Sequence, residues 1–343
     1  MSTYESILGH VRQIGQLDQA RLVGRVAHAY MFSGPDGVGK EMVAFAFAQA
    51  LNCEADDDVP CGKCTSCIKI SKGGHPDVRL VASEEELVSR NLLEPEKKRA
   101  PSAQIRNAQL DELADLFRHR PYLGRYKVVI VVDAHKMNIN SQNRFLKTLE
   151  EPSSDSVIIL LTDRPSALLS TVRSRCQNLD FGSISRDQIT GVLQQRLGLD
   201  ADRAGVLAAM AQGSLGRALF LAESDVLEMR DKLIGSLSEL DKLDLEDLLS
   251  LAGEHGQNRL TLLEALQMLE LWCRDVLVAA VGGGQQQLIN LDKLGWIDQQ
   301  AASTSPRRLV RWIERIRRTR GELKVNANPR MAMESLLLSM RSL

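Results

Sequence analysis

Aromatic residues are scarce, 4% of 343 positions, and the charges nearly cancel: 43 Lys and Arg stand against 44 Asp and Glu, a formal net charge of −1. A chain so balanced has no global pull toward nucleic acid or an anionic membrane, so any such attraction must be local. No uninterrupted apolar run approaches the roughly 20 residues of a spanning helix. The opening MSTYESILGH has no basic region followed by an apolar core, which argues against a secretory leader. The expectation from these absences is a cytoplasmic protein with no membrane partner. Internal repeats are also absent, and the one low-complexity stretch, Gly282 to Gln287, is local.

The length exceeds what one hydrophobic core usually fills, and 44% hydrophobic with 25% charged residues is ordinary globular composition. Strand-like and helix-like patterns alternate through the first half: AYMFS, EMVAFAFAQAL, VRLVAS, AQLDELADLFRHR, KVVIVVDAH, SVIILLTD. Val128 to Val132 and Val157 to Leu161 are nearly unbroken aliphatic runs, the signature of strands buried on both faces of a parallel sheet. The fold class expected is therefore α/β, a parallel sheet with helices on both faces. Strand signals stop after RCQNLDF, short helical segments punctuated by Gly198, Gly213 and Gly216 follow, and from about Asp225 the chain is leucine-rich and helical. The division expected is an α/β domain at 1–182, a small helical segment at 183–224 and an all-α domain at 225–343.

Between a strand and a helix lies GPDGVGKE, which fits the phosphate-binding loop G-x-x-x-x-G-K-[ST] at all positions but the last. Gly34, Gly37 and Gly39 would let backbone N–H groups curl around an anion at a helix N-terminus, and Lys40 would reach the outer phosphates. Glu41 stands where a magnesium-binding hydroxyl belongs. Its carboxylate about 4 Å from a phosphate would be repelled by roughly 1 to 4 kcal/mol; alternatively it caps the helix and pairs with Lys40 in place of the anion. Whether ATP or ADP binds stays open. Asp133, ending VVIVVD, is the expected helper of magnesium, or else a strand-end residue capping the next turn. The following position, where an acid would polarise the attacking water, is Ala134. Both departures predict negligible ATP hydrolysis by this chain alone.

Cys53, Cys61, Cys64 and Cys67 form C-x7-C-x2-C-x2-C. Four thiolates at tight-turn spacing suit structural Zn2+, with no coordination position left for catalysis. Reduced, unliganded cysteines or a redox pair are the alternatives. Cys176 and Cys273 stand apart, as core or interface residues.

NSQNRFLKTLEEPSSDSVIILLTDRPSALLSTVRSRCQ, HAYMFSGPDGVGK, the four-cysteine insert and GGHPDV closely resemble the bacterial clamp-loader branch of the AAA+ ATPases, over the first two-thirds of the chain. The resemblance implies a P-loop AAA+ domain carrying a zinc-binding insert at 53–67, a helical lid at 183–224 and a C-terminal collar for oligomerisation. Glu41 and the Asp133–Ala134 pair are more similar to a non-hydrolysing member of the branch than to its gamma/tau motor subunit. Ser174-Arg175-Cys176 matches the SRC motif, implying that Arg175 is an arginine finger serving a neighbour's nucleotide site. Thr162 matches the first sensor, and Arg217 in GSLGRAL the second. The partners so implied are gamma/tau motor and delta subunits in a hetero-oligomer, with a sliding clamp and primed DNA met through the complex during DNA replication. Membership of a DNA-directed DNA polymerase holoenzyme would follow, with the chain acting as stator.

PRRLVRWIERIRRTRGELK, residues 306–324, reads as an amphipathic helix with Leu309, Trp312, Ile313 and Ile316 on one face and Arg308, Arg311, Arg315 and Arg318 on another. Its arginines form either a salt-bridged face inside an oligomer or a contact with DNA phosphates or an acidic partner. NANPRMAMESLLLSM adds a last apolar helix. Two rival functions remain at this stage: an active motor ATPase of the same family, which needs Glu41 and Ala134 to be tolerated, and a zinc-dependent nucleic-acid-binding protein, which the net charge and sparse aromatics disfavour.

Overall fold

The computed structural model describes residues 4–57, 59–95, 99–153, 155–324 and 327–342. Met1, Ser2, Thr3, Asp58, Ser154, Asn326 and Leu343, which the stretches and boundaries read above take in, lie outside the described residues. The chain divides into two compact units, one of Met1–Ser185 with Gly213–Gly216, the other of Arg186–Gln212 with Arg217–Leu343.

The first unit is built on five parallel strands: β1 (Ala29–Ser33), β2 (Val78–Val81), β3 (Lys127–Val131), β4 (Ser156–Thr162) and β5 (Gln177–Asp180). Their order is β2-β3-β4-β1-β5. All residues of β1, β3 and β4 are buried, as the aliphatic runs required. The two faces of these strands feed two separate apolar clusters. Tyr30, Phe32, Val128, Ile130, Ile159 and Leu161 pack with Val43, Phe47 and Leu51 of α2 (Lys40–Asn52) and Leu17 of α1 (Val11–Leu22). Met31, Val129, Val131, Ile158 and Leu160 pack on the opposite face with Leu110 and Leu113 of α5 (Asn107–Phe117) and Phe145 and Leu149 of α6 (Ile139–Glu150). This is the parallel sheet with helices on both faces. Three shorter helices, α3 (Thr65–Ser71), α4 (Glu84–Ser89) and α7 (Ser170–Arg173), complete the unit.

β3 stops at Val131, one residue short of the end of its aliphatic run, and Asp133 takes the left-handed conformation, φ 50°. Buried Asp77, immediately before β2, ties the loop before β3 to the start of β2, its carboxylate accepting from the N–H of Tyr122, Leu123 and Gly124. Burial alone would raise its pKa; the three N–H donors outweigh that and hold it below the usual carboxylate range.

The second unit is helical: α8 (Arg186–Leu197), α9 (Ala201–Met210), the body of α10 (Leu215–Glu223), α11 (Val226–Ser238), α12 (Leu245–His255), α13 (Arg259–Ala280), α14 (Leu294–Ser303), α15 (Pro306–Lys324) and α16 (Pro329–Ser342). Trp272 and Trp312 are buried, with indole N–H groups satisfied by Gln300 Oε1 and the Met340 carbonyl. On α15, Leu309, Trp312 and Ile316 face inward. Arg308 pairs with Asp241, Arg315 and Arg318 with Glu322, and Arg317 and Arg320 with Glu270. Much of the basic face is therefore a salt-bridged one. Among the described residues no helix is long and apolar enough to cross a membrane.

Candidate functional site

In a parallel sheet the loops after the strands gather at one edge, and three of them bring the nucleotide-site candidates together. The P-loop follows β1, Asp133 follows β3, and Thr162 closes β4. Gly34 (φ 150°), Gly37 (φ 68°) and Gly39 (φ 106°) all hold positive φ, which glycine alone adopts without strain. At Gly34 a Cβ would also lie 2.1 Å from the Phe181 carbonyl oxygen. Lys40 is 7% exposed, and its Nζ donates to the carbonyls of Gly34 (2.8 Å) and Pro35 (2.6 Å). An ammonium has three N–H donors, so two brace the loop and one remains for an anion. Burial lowers the Lys40 pKa, opposed by the nearby carboxylates of Asp36, Asp163 and Asp133. The Gly39 position is uncrowded, a Cβ there meeting nothing closer than His10 at 3.9 Å. The Gly37 N–H is taken by Asp36 Oδ1 at 2.8 Å, so the loop offers a phosphate the third donor of Lys40 beside its glycine backbone.

The magnesium side of the site is different. Glu41 does not pair with Lys40, as one expectation had it. Arg90, just past α4, takes both its oxygens, Nη1 to Oε1 at 2.6 Å and Nη2 to Oε2 at 2.9 Å, and donates Nε to Glu86 at 2.8 Å. A bidentate guanidinium neutralises the carboxylate, so the phosphate repulsion expected of Glu41 is largely cancelled, while the carboxylate is spent on protein rather than metal. Nor does Asp133 cap the following turn; its carboxylate holds Lys136 at 2.9 Å. Ala134 is fully buried in the apolar cluster with Val131 and Met137. Its methyl faces the core, so this position could not present an acid to a nucleotide without burying it.

Thr162, 1% exposed, accepts from the Arg164 N–H at 3.0 Å, and its carbonyl accepts from Gly34 N–H at 3.2 Å. Beside it stands His135, which sequence reasoning missed: Nδ1 lies 3.3 Å from Thr162 Oγ1 and 3.1 Å from Asp163 Oδ1. Burial lowers its pKa, so the ring is neutral at pH 7 and donates Nδ1–H to the carboxylate. Arg217, in the second unit, is paired with Glu264 at 3.0 Å.

Arg175 lies elsewhere. It sits between α7 and β5, hence at the edge where strands begin, not where they end. Its Nη2 meets Glu150 Oε1 at 2.7 Å and its Nη1 donates to the Thr171 carbonyl at 3.0 Å, with both side chains well exposed (37% and 48%).

Cys53, Cys61, Cys64 and Cys67 converge, all four Sγ within 4.8 Å of one another. A tetrahedral zinc with bonds of about 2.3 Å spaces its sulfurs by about 3.8 Å, so the cluster closes on such an ion with small adjustments. Backbone N–H groups already point at the sulfurs: Cys61 N to Cys53 Sγ (3.5 Å), Lys63 N and Cys64 N to Cys61 Sγ (3.5 and 3.3 Å), Cys67 N to Cys64 Sγ (3.4 Å). The donors from Lys63 and Cys64 lower the Cys61 pKa to about 6, while burial raises Cys53 and Cys67. The site can hold a metal; with four protein sulfurs it has no open position.

A profile of the family described as "DNA polymerase III, delta subunit" matches residues 9–185, just over half of the chain, and a second, "DNA polymerase III, delta subunit, C terminal", matches residues 224–342. The chain belongs to this family. It is 28% identical over 321 residues to DNA polymerase III subunit delta' of Bacillus subtilis, with 92% of each chain covered. A 160-residue match to subunit delta' of Pseudomonas aeruginosa is 38% identical and covers 46% of this chain and 44% of that one. Subunit tau of Bacillus subtilis is 28% identical over 356 residues; that match takes in 96% of this chain but only 60% of tau.

Within this delta-subunit family member, two results are expected at the P-loop edge. The purified chain shows no ATP turnover above a Lys40→Ala control in a coupled steady-state assay. Ala134→Glu does not create turnover, and urea titration shows it less stable by about 3 kcal/mol, the cost of a carboxylate in an apolar cluster.

Proposed function

We propose that this protein is a non-hydrolysing, stator-like subunit of the DNA polymerase III clamp loader. It lends Arg175 to the ATP site of a neighbouring gamma/tau motor subunit while the sliding clamp is loaded onto primed DNA. The observation that carries this reading is the position of Arg175 in the sheet. The P-loop leaves the C-terminal end of β1, whereas Arg175 precedes the N-terminal end of β5, paired in parallel with β1 from Tyr30 through Ser33. Four paired residues at about 3.3 Å each put about 13 Å of strand between the two edges. A guanidinium there cannot serve its own loop, and a phosphate it reaches belongs to another molecule.

The silent half of the site supports the same division of labour. Glu41 is held by Arg90 and Ala134 is buried, so neither a metal-binding hydroxyl nor a water-polarising acid is available. Lys40 with Gly34, Gly37 and Gly39 would hold the phosphates of ATP or ADP; Thr162 and Arg217 would be sensors without a reaction to sense. A three-part arrangement, AAA+ domain to residue 182, lid at 183–224 and collar at 225–343, is part of the proposal, with the collar meeting motor and delta subunits. Zn2+ on the four cysteines would be structural. The test is DNA-stimulated ATPase of the assembly reconstituted with motor and delta subunits, wild type against Arg175→Ala. An unchanged rate rejects the reading.

A further inference from the structure

We infer that Glu150 is the positioning residue of the Arg175 guanidinium, an inference that rests on the trans-acting reading above. Three observations lead to it. First, Glu150 is the last residue of α6, and Glu151 follows it. The helix macrodipole disfavours carboxylates at a C-terminus by roughly 0.3 to 1 kcal/mol, so the local rule is broken here without any gain in helix stability. Second, the contact that Glu150 does make is to one group. Its Oε1 forms an ion pair with Arg175 Nη2 at 2.7 Å, while Nη1 donates to the Thr171 carbonyl at 3.0 Å. An ion pair on one terminal nitrogen and a hydrogen bond on the other limit both the direction and the rotation of the planar fork. The guanidinium keeps N–H donors beyond the one given to Thr171 for an incoming phosphoryl oxygen. Third, both partners are too exposed for the pair to serve stability, since half-exposed ion pairs are worth about 0 to 1 kcal/mol. α6 ends and β5 begins at the same edge of the sheet, so acid and guanidinium share the surface that faces outward from the silent P-loop.

A finger held in this way meets its neighbour with its orientation already set, and the benefit is realised in the transition state, where a small misalignment is costly. The measurement is kcat and KM for ATP at the motor site beside this chain, resolved by pre-steady-state turnover of the reconstituted assembly. Glu150→Ala is expected to lower kcat at that site about tenfold with KM unchanged. Glu150→Gln keeps an acceptor oxygen for Nη2 and is expected to retain most of the rate. Glu150→Ala placed on Arg175→Ala should add no further loss, because both act through one group. Thermal unfolding of the isolated chain should shift by no more than about 1 °C in either Glu150 variant. An unchanged kcat, a raised kcat, which would make the carboxylate a restraint on the finger, or a change confined to KM each overturns the inference. If Arg175→Ala itself has no effect, the trans-acting reading falls; if Arg175→Ala removes turnover at that one site and Glu150→Ala does not change it, only the role of Glu150 falls.

Discussion

Alanine in place of Arg175 lowers the ATPase rate of the reconstituted assembly by about 10³-fold or more at the site it serves, the scale at which supplied arginines act in phosphoryl transfer. The effect is expected in kcat, since the guanidinium meets charge that develops as the phosphoryl group transfers. Lysine is not an adequate replacement. Its three donors share one nitrogen on a flexible stem, so it cannot span Glu150 and the Thr171 carbonyl as a planar fork does while reaching a phosphoryl oxygen in the set direction, and Arg175→Lys should recover only a small part of the loss. Folding is unaffected in both variants because the side chain is well exposed and its ion pair is of the weak, solvent-screened kind. Clean interpretation depends on the number of sites: only the site beside this chain should fail, so the residual rate of the assembly reports the motor sites that receive their arginine from elsewhere. Pre-steady-state turnover resolves them, with one class of site missing.

Stripping the metal has the largest expected effect on stability. Protein purified without chelator should contain about one zinc per chain, and a strong chelator, or Cys64→Ser, should unfold the segment between Cys53 and Cys67. Apparent binding energies of structural zinc reach about 10 to 16 kcal/mol at pH 7, and in such small loops they substitute for a core. The damage reaches beyond the loop, since the Cys67 carbonyl accepts from Gln49 on α2, the helix that carries Lys40. The pH dependence has a definite sign. Cys61, with its pKa at about 6, is a thiolate at neutral pH, whereas burial keeps Cys53 and Cys67 protonated. Loading the site therefore releases protons, and affinity rises with pH through the range where the buried thiols ionise. A competition titration against a chromophoric chelator at several pH values measures both the slope and the proton count.

Much of the fold was legible because burial on both faces leaves a plain mark: the aliphatic runs at Val128 to Val132 and Val157 to Leu161 became β3 and β4, and the glycine loop lies between β1 and α2. The cysteine spacing likewise brought four sulfurs together. The partners of the site residues were not legible. Glu41 pairs with Arg90, 49 residues away, and Arg175 with Glu150, 25 positions earlier. No local pattern encodes such pairs, since the sheet's crossovers create them. His135 left only a polar residue after a strand, a signal shared by countless turns. For Asp133 the sequence offered magnesium or a helix cap; the carboxylate makes no cap bond and pairs with Lys136, a partner that the sequence did not suggest.

The parallel arrangement of the five strands carries a last consequence. The two rims of such a sheet are unlike, with the glycine loop at one and Arg175 at the other. On the proposed reading, subunits laid side by side would make a directional row in which each member helps the next, and a member that lends without borrowing would belong at its end.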